Sequence, residues 1–413
     1  MLSLKFKNLR NMHLDTMRWY AVVLLTAIQF ISSKCVVDNG LLDEEETLTG
    51  HSVFNTLPRY VLYDVNKPEG FNLRRDVFIR MASFIHHMNK VSDYHWILVL
   101  PPWHRLYHWR SSNLVQDCLP WSLFFNVDSI KKSTPVVELH EFFEMNGLRP
   151  LDVQVTLQDY NVKSFEQYPD FSDKWEVANC KDQVQTEFWN LNNLTFTKLL
   201  CISFQGISTL LVDIVQELQP RTIIFDHAEL ALHNYYGGQE YWMIRKSMQF
   251  SKNLHEIAKE FKNRNLKQDY LCAHLRRRDF LYGHPSDVPS IKNTARQIKE
   301  KLSVLNSIKA VYVATDASKT EVEELKNYLQ PYQMFKFEAD KKTLNRFLDG
   351  GVAIIDQIIC SQANYFIGTS KSTFSFRIQE EREILGLPME TTFNSFCGDS
   401  IECTQPTKWR LVE

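Results

Sequence analysis

The feature that most restricts the fold is a repeated alternation of short apolar runs with amphipathic helical patterns. The runs "RYVLYDV" (59–65) and "WILVLPP" (96–102) are separated by a segment whose apolar positions recur at helical spacing. This order predicts a strand, a helix and a second strand. Further apolar runs of the strand type follow at 222–227, 310–316 and 364–370. The pattern predicts an α/β protein with two α/β units in series and a boundary near residue 245.

Two segments give less distinct signals. Residues 241–266 have apolar positions at helical spacing throughout, so we predict one long amphipathic helix there. The segment from about 150 to 200 is polar and aromatic, and we expect it to be rich in loops.

The first 34 residues resemble a secretory signal. Four basic residues precede the apolar run "WYAVVLLTAIQFISS" at 19–33, which is shorter than the about 20 residues that a membrane-spanning helix needs. We predict a signal peptide over residues 1–34, with an uncleaved anchor as the alternative. No comparable apolar run follows, so we expect no membrane span in the mature chain.

Secretory entry changes the interpretation of the eight cysteines. None forms a C-x-x-C pair or a zinc-like quartet with nearby histidines, so disulfides are favoured over a metal site. Cys397 and Cys403 can close a small ring, whereas Cys272 and Cys360 lie in apolar runs and are predicted to be buried free thiols. Asn193 begins the sequon "NLT", an N-glycosylation acceptor in a secreted chain.

Polar clusters follow two strands of the second unit, at the edge where open parallel sheets bind ligands. After "YLCA" comes "HLRRRDF", in which Arg276 and the next two arginines can bind phosphate oxygens in a bidentate manner. A solvated surface is the alternative, and because side chains alternate along a strand, at least one arginine should be structural. The turn "GTSKSTF" places hydroxyls at a helix start, a common anion site. We predict a diphosphate cradle.

Composition and missing motifs exclude other classes of function. The 47 Lys and Arg residues nearly balance the 49 Asp and Glu residues, so we expect no nucleic-acid partner. The chain has no GxxxxGK[ST] loop, which disfavours a P-loop kinase or ATPase. It also lacks a strand-associated G-x-G-x-x-G and a G-x-S-x-G elbow.

Glu69, in the turn "NKPEG", occupies the corresponding strand end of the first unit. From there it could face the anion site across a cleft and deprotonate an incoming hydroxyl while a nucleotide diphosphate leaves. The alternative is a turn residue that happens to be charged. Other carboxylates also lie near strand or helix ends: Asp64, Asp226, Asp316 and Asp356.

Several strings are similar to those of the protein O-fucosyltransferase family, on the branch that modifies thrombospondin type 1 repeats. They include "YVLYDVNKPEGFNLRRD", "LVLPPWHRLYHW", "HLRRRDF", "GGVAIIDQ" and "FIGTSKSTFSFRI". The resemblance runs from about residue 58 to the C-terminus and is weakest over about 150–200. It implies a GT-B fold, in which a Rossmann-like domain at 50–245 with the catalytic base faces a Rossmann-like domain at 246–413 that binds GDP-fucose.

The resemblance also implies an activity. A member of this branch would be an inverting glycosyltransferase that moves L-fucose from GDP-β-L-fucose to Ser or Thr hydroxyls of folded thrombospondin type 1 repeats, in the lumen of the endoplasmic reticulum. It implies no required cofactor or metal, and the chain lacks the D-x-D pair that holds a divalent cation in other nucleotide-sugar enzymes.

Site residues follow from the matching motifs. Glu69 matches the family's general base. The residues matched to GDP-fucose binding are Pro68, Glu69, Gly70, Phe71, Asn72, His274, Leu275, Arg276, Asp356, Ser372, Thr373 and Phe374. The disulfides that the resemblance implies are Cys180–Cys201 and Cys397–Cys403. Lys67 and Arg278 depart from the family's pattern, and neither touches the expected chemical roles.

The acceptor side is less defined by the sequence. Trp103, Arg105, Tyr107 and Trp109 are candidates for an acceptor groove, and a buried tryptophan cluster is the alternative. Two other functions stay open: a fucosyltransferase that acts on another small cysteine-rich repeat or on a glycan, and a non-catalytic lumenal protein that binds its client in the same cleft.

Overall fold

The computed structural model describes residues 57–147, 149–160, 172–181, 184–191, 194–399 and 403–412. Within this part of the chain the strands form two sheets, one of eight strands and one of four. The predicted signal peptide at 1–34 and the sequon at Asn193 lie outside the described residues. None of the described helices combines the length and apolar character that crossing a bilayer would need.

The first sheet is built from the first half of the chain. Its strands are β1 (Arg59–Tyr63), β2 (Trp96–Leu100), β3 (Val136–Glu138), β4 (Leu151–Gln158), β5 (Lys174–Ala178), β6 (Phe196–Ile207), β7 (Thr222–Asp226) and β8 (Ala231–Leu232). The strand order is β3-β2-β1-β7-β4-β6-β5, with β8 paired to β6. These pairs are parallel except β5 with β6. Because strands of such a sheet are covered on both faces, β1 and β7 are almost wholly buried apolar runs.

The second sheet is smaller and parallel throughout. Its strands are β9 (Tyr270–Leu275), β10 (Ala310–Thr315), β11 (Gln333–Phe335) and β12 (Tyr365–Ile367). Their order is β11-β10-β9-β12. The predicted strands at 59–65, 96–102, 222–227, 310–316 and 364–370 are confirmed as β1, β2, β7, β10 and β12.

Helices connect these strands. They are α1 (Phe71–Val91), α2 (Val127–Lys131), α3 (Leu139–Asn146), α4 (Leu211–Leu218), α5 (Gln239–Ser247), α6 (Lys252–Asn265), α7 (Phe280–Gly283), α8 (Ile291–Val304), α9 (Lys319–Leu329), α10 (Lys341–Ser361) and α11 (Thr373–Ile384). Short 3-10 turns lie at Trp121–Leu123, Ser208–Leu210, Ala228–Leu230 and Met389–Thr391. One hydrophobic core runs through both halves, since Phe84 of α1, Tyr312 of β10 and Ile378 of α11 belong to the same buried cluster.

The segment at 150–200, which we expected to be rich in loops, also contains strands. This segment contributes β4, β5 and the start of β6, and β4 lies between β6 and β7 in the sheet. Polar residues concealed the strand pattern, because β4 buries Gln154, whose amide donates to the carbonyl of Gln185 at 2.7 Å. A buried polar side chain with a backbone partner is tolerated in a central strand.

The single long helix predicted at 241–266 is also corrected, since the structure has α5 and α6 instead. Residues between them pair with the first half of the chain. Phe250 forms an isolated antiparallel bridge with Phe125, and the Ser251 amide donates to the carbonyl of Phe124 at 2.8 Å. These tertiary hydrogen bonds replace helical ones, so the helix ends and restarts.

Cys272 and Cys360 are not free thiols, because they form a disulfide that joins β9 to α10. Both residues are fully buried, with Cα atoms 5.2 Å apart. Their apolar surroundings, which suggested free cysteines, are compatible with a bond between two packed elements. The structure also contains the disulfides Cys180–Cys201 and Cys397–Cys403.

Candidate active site

A cleft of about 690 Å³ lies at the carboxyl ends of strands from both sheets. Its walls come from the segments that follow β1, β9, β10 and β12, where ligands bind in open α/β sheets. Ten of the residues singled out in the sequence line it: Pro68, Gly70, Phe71, Asn72, His274, Arg276, Asp356, Ser372, Thr373 and Phe374. Residues far apart in the chain thus meet in one place.

Two of the twelve residues matched to GDP-fucose binding, Leu275 and Glu69, do not line the cavity. Leu275 is fully buried in the core of the second sheet, so its side chain cannot reach a ligand in the cleft. Glu69 is half-buried and lies between Pro68 and Gly70, which both line the cleft. The turn therefore brings Glu69 to the edge of the cavity.

Close packing surrounds the start of α1. Gly70 precedes this helix, and a Cβ atom at that position would lie 3.0 Å from Cδ2 of His108. His108 belongs to the loop after β2 and also lines the cleft. Burial, and then the positive charge of Arg276, lower the pKa of His108 to about 4. The ring is therefore neutral near pH 7 and can accept a hydrogen bond.

The predicted diphosphate cradle is a connected set of hydrogen bonds near the start of α11. Thr369 Oγ1 accepts a bond from the Arg276 amide at 2.8 Å and donates to the carbonyl of His274 at 2.9 Å. The ring of His274 stacks on Phe374, with centroids 4.3 Å apart, and its Nδ1 lies 2.8 Å from Ser375 Oγ. Burial, and then Arg276, lower the pKa of His274 to about 3, so this ring is neutral too.

Helix α11 adds its own positive end to the cradle. Ser372 is its N-cap residue but makes no side-chain capping bond. The first amide groups of the helix therefore have no capping side chain at the edge of the cleft, where the helix dipole favours an anion.

Arg276 is the arginine of the "RRR" run that faces the cleft. Its Nη2 lies 2.8 Å from Asp279 and 3.1 Å from Nδ1 of His108, and its Nε lies 3.4 Å from Asp316. Arg277 is instead buried and paired with Glu321 at 2.8 Å. As the alternation argument predicted, at least one arginine of the run is structural.

Asp356 is a further carboxylate that lines the cleft. Its carboxylate lies on α10, accepts a hydrogen bond from Tyr312 and is partly buried. Burial raises the pKa of Asp356 to about 6, although the bond from Tyr312 and the charge of Lys336 act in the opposite direction. Such a carboxylate can accept hydrogen bonds from a ligand that excludes water.

The four residues proposed for an acceptor groove lie in different surroundings. Trp103 is 2% exposed and packs against Phe71 and Trp121, so it belongs to the buried tryptophan cluster that was the alternative. Trp109 and Tyr107 line the cleft, and Tyr107 is 49% exposed. Arg105 is exposed and pairs with Asp117 at 2.6 Å.

Sequence reasoning gave no role to His108 or Asp279. Asp279 stands in the quoted string "HLRRRDF", so its closeness to Arg276 could have been noticed. His108 contacts a residue 168 positions away, and no local pattern marks it. Across the described residues, no group of three or more His, Cys, Asp or Glu side chains is arranged to hold a metal ion.

Comparison with known proteins agrees with this geometry. A family model described as GDP-fucose protein O-fucosyltransferase matches residues 60–385. GDP-fucose protein O-fucosyltransferase 2 of Homo sapiens is 41% identical over 392 residues, which cover 86% of this chain and 90% of the human protein. The chain belongs to the GDP-fucose protein O-fucosyltransferase family. Its Caenorhabditis elegans relative of the same name is 36% identical over 396 residues, with 86% and 90% covered.

Solved structures agree with the O-fucosyltransferase assignment at the level of the fold. A crystal structure of POFUT1 in complex with GDP-fucose has a TM-score of 0.58 and 18% identity, and the match covers 85% of this chain and 100% of that chain. The chain therefore has the α/β fold of GT-B type, with two Rossmann-like domains facing each other across the cleft. As a member of the family, it is an O-fucosyltransferase enzyme.

Proposed function

We propose that this O-fucosyltransferase moves L-fucose from GDP-β-L-fucose to Ser or Thr hydroxyls of folded thrombospondin type 1 repeats, with inversion at the anomeric carbon. One observation carries the proposal: two features border the same cleft. One is the turn that carries Glu69, and the other is the diphosphate cradle formed by Arg276 and the start of α11. An inverting transfer needs a base and a leaving-group site of this kind on opposite sides of the sugar.

Glu69 is assigned as the general base in this scheme. It takes the proton of the acceptor hydroxyl while the oxygen attacks the anomeric carbon on the face opposite GDP. The bond between the sugar and the β-phosphate breaks, and the electron pair leaves with GDP. Arg276 and the α11 amide groups stabilise the charge that develops on the leaving phosphate.

The other residues hold the donor. Gly70, Phe71 and Asn72 line the cleft beside the base, and Asp356 lies at the end assigned to the nucleoside. Ser372, Thr373 and Phe374 form the phosphate-binding turn, with His274 stacked on Phe374, and Pro68 lines the cleft next to Glu69. No metal ion enters the scheme, because a guanidinium and a helix N-terminus supply the positive charge that a cation would otherwise bring.

The relatives' names support the donor and the reaction, since they are called GDP-fucose protein O-fucosyltransferase 2. We assign the base to a domain at 50–245 and the donor site to a domain at 246–413. Disulfides such as Cys272–Cys360 favour an oxidising compartment, and we propose the lumen of the endoplasmic reticulum, where client repeats fold.

An acceptor panel tests this proposal. Labelled GDP-fucose is incubated with the enzyme and a folded thrombospondin type 1 repeat, the same repeat after reduction, or a different small cysteine-rich repeat. Label on the folded repeat alone, in α-linkage by NMR, supports the proposal. Label on the other repeat alone would favour the alternative acceptor, and donor binding without transfer to either would favour a client-binding protein.

A further inference from the structure

One guanidinium holds the turn that carries Glu69. Arg74, on the first turn of α1, donates from Nε to the carbonyl of Glu69 at 3.1 Å. Its Nη2 donates to the carbonyls of Val65 and Asn66 at 3.1 and 3.2 Å. The remaining nitrogen, Nη1, donates to Oδ1 of Asp64 at 3.3 Å. Arg74 therefore binds both ends of residues 65–69, which we call the base loop.

The base loop has few other supports. Val65, at the start of the loop, packs in the hydrophobic core, whereas Asn66, Lys67 and Pro68 are exposed and have no such packing. The Glu69 amide donates to the carbonyl of Asn66 at 3.0 Å, which closes the turn. The Asn66 amide in turn donates to Oε2 of Glu229 at 3.1 Å. Beyond these bonds and the burial of Val65, the base loop is held by Arg74.

We infer that Arg74 is a positioning residue, which fixes the base loop so that the Glu69 carboxylate faces the acceptor hydroxyl. The inference rests on the proposed function, because it takes Glu69 as the general base. Arg74 is suited to this role by its planar fork, which reaches three carbonyl oxygens and a carboxylate at once. A lysine would offer a single ammonium and could not bridge the loop.

The expected effect is on the chemical step rather than on the donor. The diphosphate cradle is built from β9, β12 and α11, and Arg74 makes no contact with these elements among its described bonds. A base displaced by about 1 Å can cost up to about 10²-fold in rate. Loss of the bonds between Arg74 and the base loop should therefore lower kcat while the KM for GDP-fucose stays nearly constant.

The variant Arg74→Lys is the most informative, because it keeps a positive charge beside the buried Asp64 but removes the guanidinium group that bridges the loop. We expect kcat for transfer to fall about tenfold or more, with the KM for GDP-fucose changed less than about twofold. Rates are expressed per GDP-binding site, so that a smaller folded fraction does not imitate a catalytic defect. Arg74→Gln should behave similarly.

Arg59→Gln is the matched control. Arg59, the first residue of β1, is also a partly buried arginine with a bond to a backbone carbonyl, that of Pro220 at 3.0 Å. It lies at the end of the strand opposite to the base loop. It should lose stability to a comparable extent and keep kcat. An equal loss of kcat per site in Arg59→Gln would overturn the inference.

A double-mutant cycle separates positioning from an independent contribution. In a Glu69→Ala background, measured in single turnovers, Arg74→Lys should cause no further loss of transfer rate, because the base that Arg74 positions is already absent. If that background has no measurable transfer, Glu69→Asp replaces it, and the effect of Arg74→Lys should be clearly smaller than in the wild type.

The outcomes also separate this inference from the proposed function. Full transfer by Glu69→Ala would mean that the assigned base is wrong. A strong defect in Glu69→Ala, together with normal transfer by Arg74→Lys, would overturn the positioning role alone. Equal fold-losses from Arg74→Lys in both backgrounds would show that Arg74 acts independently of Glu69.

Discussion

Arg377 on α11 donates from Nη2 to Oδ1 of Asp76 on α1 at 2.7 Å, although the two residues are 301 positions apart. Both are buried, with side chains 5% and 8% exposed. Helix α1 begins beside Glu69, and α11 begins at the phosphate-binding turn with Thr373. The ion pair thus ties together the two helices whose first turns border the cleft.

This pair belongs to a wider buried network. Arg377 also binds Glu380 at 2.7 Å, and Asp76 also accepts from His233 at 3.0 Å and from Arg80. Burial alone would raise the pKa of Asp76, but the bond from His233 and the charges of Arg377 and Arg80 lower it well below its usual range. The network is therefore ionised at neutral pH.

The first prediction concerns this pair. Arg377→Gln takes a charged partner away from Asp76, which keeps Arg80, and from Glu380, which keeps Arg245. Removing one member of a buried ion pair costs about 3–5 kcal/mol. We expect the free energy of unfolding, measured by urea denaturation, to fall by about this amount. The exposed pair Arg264–Glu260 provides the control, since Arg264→Gln should change stability by less than about 1 kcal/mol. Equal effects would contradict a structural role for the buried pair.

The second prediction uses the titration of Asp356. Because its folded pKa, about 6, lies above the ordinary 3.8, the folded state binds this proton more tightly than the unfolded chain does. The contribution of this proton to the free energy of unfolding is therefore fully present below about pH 4 and is lost as the pH rises through about 6.

Asp356→Asn should remove this dependence, because the amide oxygen can still accept from Tyr312. We expect the variant to be more stable than the wild type at pH 7.5 by up to about 3 kcal/mol, and equally stable near pH 4. GDP affinity should fall at both pH values. Denaturation curves at the two pH values test this, and a constant stability difference would show that Asp356 does not titrate as described.

The third prediction concerns the disulfide between β9 and α10. Cys272 and Cys360 are 88 positions apart, whereas Cys397 and Cys403 are 6 apart. Replacing the first pair with alanine should lower the free energy of unfolding by about 2–4 kcal/mol, because a long loop is released. The same replacement of the second pair should cost less. A larger loss from the short ring would contradict the expectation.

The fourth prediction concerns Gly70. A methyl group there meets the ring of His108 at 3.0 Å, and His108 contacts Arg276. Gly70→Ala should therefore displace the ring and lower kcat/KM for GDP-fucose by about tenfold. Gly283→Ala is the control, since no atom lies within 4 Å of its Cβ position. Unchanged kinetics in Gly70→Ala would show that the ring can move without consequence.

Much of the fold follows from local patterns. Strands such as β1 and β10 are continuous apolar runs, and burial on both faces of a parallel sheet leaves that mark in the sequence. Local sequence patterns gave wrong element bounds where tertiary contacts determine the structure. Inside β4, Gln154 donates its amide nitrogen to the carbonyl of Gln185, and beyond the end of α5 Phe250 pairs with Phe125.

The site divides in the same way. The strand-end rule brought Arg276 and the turn before α11 together correctly, because it depends on topology alone. The contact of His108 with Arg276, the pairing of Arg277 with Glu321 and the clamp by Arg74 depend on side-chain directions after folding. The string "NLRRD" shows two adjacent arginines, and only the structure shows that Arg74 turns to the base loop while Arg75 is buried against Gln357.

The most direct test of the central claim is transfer of labelled fucose from GDP-fucose to a folded thrombospondin type 1 repeat by Glu69→Ala, with GDP affinity measured in parallel. The account predicts a loss of about 10²-fold or more in transfer, the usual scale for removing a general base, with GDP binding retained. Transfer at the wild-type rate would contradict the account, and Glu69 would then be a charged turn residue at the edge of the cleft.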